Sequence, residues 1–274
     1  MKNLMMLSLF GLLMFGCSET QDAEQGQEIQ EETENKEAKL KVLTYNIHHA
    51  NPPSQPGLID LEAIARVIKE SDADLVALQE VDVKTERSGV DLDQAAALGE
   101  LTGMYHYFEK SIDHQGGEYG NAILSRFPIE ESSKHAISNM EGVNSERRAV
   151  LQIKVDVEGQ PFWFASTHLD YSNKENNLHQ SKEVAGLYRD SEIPVILAGD
   201  FNALPDSEGI NYLEGYFERT CRHNCGYTIP EKNPNRTIDF IMFTKDAGIE
   251  VVEHRVIPEE YASDHRPVFA SLTY

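Results

Sequence analysis

Basic residues are scarce in this 274-residue chain. Its 24 Lys and Arg stand against 46 Asp and Glu, a formal net charge of −22 at pH 7. Such a surface favours solubility and repels long polyanions. No basic, aromatic-interleaved stretch offers a track for nucleic acid. A small phosphoester held by a metal ion remains compatible with this charge. Long apolar runs are missing too. The run Leu4–Phe15 is too short to span a bilayer. No internal repeat is visible, and no linker-like stretch interrupts the chain beyond residue 38. That part, about 235 residues, suits one large domain or two small ones by length alone. Cysteine is limited to three residues, Cys17, Cys221 and Cys225.

What is present at the N-terminus is a targeting pattern. Lys2 precedes the apolar run, which ends in Gly16-Cys17-Ser18. The run has the length of a signal-peptide core, and residues 1–17 look like a bacterial lipoprotein signal with Cys17 as the lipidated residue. Met14-Phe15 departs from the usual small-residue pattern before the Gly-Cys. Residues 18–38 are rich in Glu and Gln and nearly devoid of apolar side chains. They cannot bury enough surface to fold and are expected to form a solvated tether. The implied location is an exported, membrane-anchored lipoprotein on the periplasmic or cell-surface face. In an exported protein, a small-loop disulfide between Cys221 and Cys225 is the default. The competing arrangement is a Cys-His-Cys metal site with His223, which lacks a fourth ligand spaced nearby.

The chain is organised around Ile193–Asp206, IPVILAGDFNALPD. A short apolar run bounded by Pro194 and Gly199 reads as a buried strand, with Gly199 expected to allow a sharp turn. Asp200 and Asn202 then follow at the strand's C-terminal end, where α/β sheets tend to place chemistry. Similar stretches occur at Thr44-Tyr45-Asn46-Ile47-His48, Leu78-Gln79-Glu80-Val81-Asp82, Ser166-Thr167-His168-Leu169-Asp170, Thr237-Ile238-Asp239-Phe240-Ile241 and Ser263-Asp264-His265-Arg266-Pro267. Each joins an apolar, strand-like segment to Asn, Glu, Asp or His. In this order, from about Lys39 to Tyr274, they resemble the exonuclease/endonuclease/phosphatase superfamily of deoxyribonuclease-like metal-dependent phosphoesterases. The motifs lie scattered from end to end, yet all are needed in one cleft, so residues 39–274 are expected to form one catalytic domain.

Further strands are expected over Leu40–Ile47, Leu75–Gln79, Tyr105–Glu109, Thr237–Phe243, Ile249–Val256 and Pro267–Leu272. Arg147–Val157 and Pro161–His168 read as a hairpin around Glu158-Gly159, and Gly116–Arg126 as a Gly-rich loop entering a strand. Helices are expected over Leu61–Ser71, capped by Asp60, and over Asp91–Gly103 and Asn173–Asp190. Strands alternate with helices early and dominate later. This suits the fold the resemblance implies, an α/β four-layer sandwich with two mixed β-sheets packed face to face and flanking helices.

The same residues carry an expected chemistry. Glu80, in its LQE setting, is the leading ligand for a hard cation, Mg²⁺ with Mn²⁺ as an alternative. By resemblance Asn46 orients metal or phosphate, and Asp264 supplies a second carboxylate on the metal side. His265 pairs with Asp239, a carboxylate able to fix the imidazole tautomer. The resemblance implies either general-base work or phosphoryl-oxygen binding for this pair. Asp200 is the competing base and the one favoured, leaving His265 as the phosphate contact. Asn202 and His168 then stabilise developing charge as preorganised donors. Asn121 matches a family position near the scissile phosphate, and Tyr119 is a weaker candidate. His48 either lines the pocket or is simply packed. Arg148 and Arg87 read as surface salt bridges before substrate contacts.

The implied activity is metal-dependent hydrolysis of phosphate esters by a phosphodiesterase or phosphatase acting on small or lipid-linked substrates. Secreted nuclease action on DNA or RNA is the alternative. A non-catalytic surface-binding lipoprotein is the rival class, disfavoured because every motif residue is present. The expected partners are a phosphoester and, through Cys17, the membrane. The expected assembly is a monomer.

Overall fold

Alternation along the central strands decides the layers. In β1 (Lys39–Asn46), Leu40 and Val42 point one way, while Leu43 and Tyr45 point the other. All four are buried, as expected of strands covered on both faces. The computed structural model describes residues 39–274. The expected lipoprotein signal, lipidated Cys17 and tether lie outside the described residues.

The remaining strands are β2 (Leu75–Val83), β3 (Tyr105–His114), β4 (Gly117–Ser125), β5 (Glu131–Ile137), β6 (Arg148–Val157), β7 (Gln160–His168), β8 (Val195–Asp200), β9 (Phe217–Arg219), β10 (Asp239–Thr244), β11 (Glu250–Val256) and β12 (Val268–Thr273). They form two mixed six-stranded sheets, ordered β11-β12-β1-β2-β4-β3 and β5-β6-β7-β8-β10-β9. The helices are α1 (Leu61–Ser71), α2 (Gln94–Thr102), α3 (Lys174–Tyr188) and α4 (Glu208–Leu213). Their N-caps are Asp60, Asp93, Asn173 and Ser207, each accepting a backbone N–H from three residues on.

Three apolar clusters make the sandwich. The first lies between the sheets and joins Leu40, Val42, Leu75 and Ala77 to Phe162, Phe164, Ile196, Ala198 and Ile241. The second packs Ile64, Val67, Ile68 and Leu98 of α1 and α2 on the outer face of the first sheet. The third packs Val184, Tyr188, Ile210 and Leu213 of α3 and α4 on the outer face of the second. The expected four-layer architecture is therefore present.

Several details differ from the sequence expectations. Gly116–Arg126 is not a loop leading to a strand. It is almost entirely strand β4, hairpinned to β3 and paired along nearly its whole length. Strand β5, strand β9 and helix α4 have no counterpart among the expected elements. Gly199 lies inside β8, which continues through Asp200, so it does not begin a turn. A Cβ there would come within 2.0 Å of the Thr167 carbonyl oxygen, so glycine is needed for close approach of β7 to β8. Cys221 and Cys225 form the disulfide, with their Cα atoms 5.6 Å apart. The histidine offering a nitrogen near them is His254 of β11, not His223.

Candidate active site

The inner-face positions that are apolar midway along the strands become polar at one end. Following Phe162 and Phe164, Ser166 and His168 continue the inner face of β7. Following Ile196 and Ala198, Asp200 does so in β8. In β10 the same parity runs back from Phe243 and Ile241 to Asp239. Register then aligns these groups laterally, because His168 pairs with Asp200 and Asp200 with Asp239. On the opposing sheet, Thr44 and Asn46 continue the inner face of β1, and Gln79 that of β2.

Glu80 would face outward by simple alternation. A β-bulge prevents this. The β2–β4 register shifts between Leu78 and Val81, and Glu80 takes φ 59°. Its carboxylate consequently accepts Asn46 Nδ2 at 3.1 Å. β2 does not end at Glu80, as the sequence suggested, but passes through it to Val83. The same Asn46 amide donates to Asp200 Oδ2 at 3.1 Å, linking the two sheets through one side chain. Below it, Gln79 Nε2 donates to Ser166 Oγ at 3.2 Å, a second polar link between the sheets.

Asp200 is the hub. The Asn202 N–H donates to its Oδ1 at 2.8 Å, and Oδ2 lies 3.6 Å from His168 Nε2 and 3.8 Å from His265 Nε2. His265 Nδ1 meets Asp239 at 2.9 Å (Oδ2) and 3.1 Å (Oδ1). All four of these side chains are at least nine-tenths buried. Burial, and then the Asp239 charge, push the Asp200 carboxyl up to about 7. Burial alone would depress the His265 imidazole. The Asp239 carboxylate overrides it and, with Asp200 and Asp264, pushes it up to about 10. Burial drives His168 well below the ordinary histidine range, aided by the charges of Arg148 and His265. The site thus sets a carboxyl of raised pKa between one histidine pushed up and another pushed down.

A cleft of about 410 Å³ opens over this row, lined by Glu80, Tyr119, Arg148, His168, Asp200, Asn202 and His265 among others. The structure brings Asn46, Glu80, His168, Asp200, Asn202, Asp239 and His265 together. Asp264 adjoins them, its charge helping burial to raise the Glu80 carboxyl. Two expected substrate contacts are not among its lining residues. Asn121 is buried and donates its amide to the Ala149 carbonyl at 3.2 Å, joining β4 to β6. His48 turns its ring Nδ1 to the Asn51 carbonyl at 2.9 Å, while its backbone N–H holds Asn46 Oδ1 at 3.1 Å. It positions Asn46 and is not among the cleft-lining side chains.

Other groups exceed their expected roles. Arg148 is bound to Glu146 at 2.8 Å, but in the cleft and buried, with Nε unpartnered. Arg87 is half-buried, forks onto Asp82 at 2.7 and 2.8 Å, and lies over the Tyr119 ring. Ser263 was not singled out from the sequence. Its hydroxyl donates to the Asn46 carbonyl at 2.7 Å, and its place in Ser-Asp-His was the available signal.

The donor set fits a hard divalent cation. Glu80 is a half-buried carboxylate with one amide donor and no Lys or Arg salt bridge among the described residues. A carboxylate drawn partly out of water gains from a cation beside it. The Asp264 charge acts on the same carboxyl, and Asn46 turns its amide Nδ2 to it while its Oδ1 takes the His48 N–H. Asp200, Asp239 and His265 also present ligand atoms within 4.8 Å of one another. There His265 Nδ1 already meets the Asp239 carboxylate.

Comparison with known proteins identifies the family. A family model described as "Endonuclease/Exonuclease/phosphatase family" matches residues 43–265. The uncharacterized protein YbhP of Escherichia coli strain K12 is 28% identical over 173 residues, covering 60% of this chain and 66% of that protein. The chain thus spans just under two thirds of that relative's length. Among solved structures, an endonuclease/exonuclease/phosphatase from Beutenbergia cavernae DSM 12333 superimposes with a TM-score of 0.70. It is 27% identical and covers 86% of this chain and 72% of its own. A mannosyl-6-phosphatase from Bacteroides thetaiotaomicron VPI-5482 shares the fold, with a TM-score of 0.70 at 21% identity over 86% of this chain and 100% of its own.

Proposed function

Since the chain belongs to the endonuclease/exonuclease/phosphatase family, we propose that it is a metal-dependent phosphodiesterase or phosphatase acting on small or lipid-linked phosphate esters. The reading includes export and attachment to the membrane through lipid on Cys17. The observation that carries the chemistry is the lateral row His168–Asp200–Asp239, set opposite Asn46 and Glu80 of the other sheet.

Glu80, Asn46 and Asp264 would hold the cation, Mg²⁺ or Mn²⁺. When bound, it supplies charge neutralisation at the phosphoryl oxygens. Asp200 accepts the proton of the attacking water as its oxygen bonds to phosphorus. The P–O ester bond breaks, and the departing alkoxide takes a proton from solvent. The His265 imidazolium, held by Asp239, donates from Nε2 to a non-bridging phosphoryl oxygen. Asn202 and His168 add fixed donors to the same developing charge.

The test uses purified chain with a panel of mono- and diesters, phospholipid vesicles and nicked plasmid. Activity is expected to vanish with chelator and return with Mg²⁺ or Mn²⁺. Asp200→Asn and His265→Ala are each expected to lower turnover by roughly a hundredfold or more, with circular dichroism unchanged. Full activity in chelator, or wild-type turnover in both variants, refutes the reading. Intact-mass measurement of the mature protein tests the anchor, and an unmodified Cys17 would remove it.

A further inference from the structure

A second cavity, of about 470 Å³, adjoins the catalytic cleft. The two share Tyr171, Asn202 and Leu204. One wall is therefore the loop carrying Asn202, two residues beyond Asp200. We propose that this cavity is a subsite for the neutral, hydroxyl-rich ring of the phosphoester, with Tyr171 as its stacking platform. The proposal rests on the phosphoesterase reading and adds the chemical class of what is esterified to the phosphate.

Three observations carry it. Tyr171 is 74% exposed at the junction of the cavities, and its hydroxyl makes no hydrogen bond among the described residues. An aromatic face left open beside a polar cleft offers stacking area to a flat or ring-shaped group at low conformational cost. Leu204, 47% exposed on the same shared wall, extends this apolar surface. Beyond them the lining interleaves donors and acceptors. Asn173, Lys174, Glu175, Asp206 and Glu208 all line it, and Lys174 forms no salt bridge among the described residues.

That mixture selects among ligands. A second phosphate would meet one cation among carboxylates, which is poor anion recognition. An acyl chain would leave those polar groups without partners, at a desolvation cost. Ring hydroxyls both donate and accept, so they satisfy ammonium, amide and carboxylate together. The ring can belong to a free sugar phosphate or to the headgroup of an inositol phospholipid.

Kinetics of wild type, Tyr171→Ala and Tyr171→Phe on a hexose 6-phosphate and on methyl phosphate test the subsite, since methyl phosphate is too small to reach it. Tyr171→Ala is expected to raise KM for the hexose ester by roughly three- to tenfold with kcat nearly unchanged. Tyr171→Phe should keep most of the wild-type KM, and methyl phosphate should respond to neither change. Equal effects of Tyr171→Ala on both esters, or none on either, overturn the proposal. An arm with phosphatidylinositol in phosphatidylcholine vesicles separates the two sources, since a Tyr171→Ala penalty on vesicles identifies the headgroup. Calorimetric binding to the Asp200→Asn variant reads the subsite without turnover. A hexose phosphate binding no tighter than methyl phosphate overturns the subsite even if both are hydrolysed. Tighter, Tyr171-dependent binding without wild-type hydrolysis upholds the subsite and counts against the phosphoesterase reading alone.

Discussion

The Asp170 carboxylate, two residues after His168, is buried and accepts four hydrogen bonds. They come from Ser145 Oγ at 2.7 Å, the Ser172 N–H at 2.9 Å, Ser172 Oγ at 2.8 Å and Asn176 Nδ2 at 2.6 Å. Burial acts to raise its pKa, but these donors prevail and hold it below the ordinary carboxylate value. A depressed pKa stabilises the fold fully above the unfolded value of about 3.9 and loses that contribution as pH falls through the folded pKa. Asp170→Asn is therefore expected to cost about 1.5–3 kcal/mol at pH 7. In urea titrations the gap from wild type should close as pH drops below about 4; a gap that stays constant would refute the charged role. Asp170 stood in a recognised motif, but its donors come from positions that only folding brings near. The same holds for Asn121 and His48, whose residue types suited the cleft while their hydrogen bonds went to Ala149 and Asn51. Glu80, by contrast, lines the cleft as its motif suggested. Glu80→Gln is expected to weaken divalent-cation binding at least tenfold by calorimetry, while Asn46 still donates to the remaining oxygen; unchanged affinity would place the cation elsewhere.

At the scale of elements, the apolar runs announced themselves and the irregularities did not. α1 occupies the expected Leu61–Ser71, and the β6–β7 hairpin lies within one residue of its expected limits. β5 went unseen because ESSKHAI is polar and mostly exposed, an edge strand defined by backbone pairing to β6. β9 and α4, three and six residues long, are too short for a period to show. The site depends on what was least visible. His48, His49 and Ala50 follow Asn46 with φ of 46°, 45° and 57°, and Glu80 and Asn202 also have positive φ. None is glycine, so the conformations are held by tertiary contacts, such as Gln94 Nε2 to the His49 carbonyl at 2.7 Å. Beside Asp200, the position that requires glycine is Gly199. Gly199→Ala should force β7 from β8, destabilise the chain by about 1–3 kcal/mol and shift Asp200 relative to His168. A denaturation midpoint and turnover both equal to wild type would show that the strands separate without cost.

For the whole molecule, charge decides which phosphoesters can approach. The chain carries −22, and the cleft sets Glu80, Glu146 and Asp200 against Arg148 and Arg236, with Arg148 already bound to Glu146. Nothing there resembles the row of free cations with which nucleic-acid binders release counterions. Net charge and the ordered motifs were both readable from the sequence. The depth of the cleft was not, because it depends on where the two sheets part. The sign of the salt response separates the two substrate classes. A basic nuclease loses affinity as salt rises. An acidic protein meeting a plasmid is opposed by long-range repulsion, which salt screens as the Debye length falls to about 8 Å at 0.15 M. Any plasmid cleavage by this chain should therefore increase between low salt and about 0.15 M. Turnover of a small monoester, bound through short-range contacts, should change little over the same range. Plasmid cleavage that is rapid at low salt, falls as salt is added and disappears in Asp200→Asn would show that local fields at the cleft outweigh the net charge and that the chain is a nuclease.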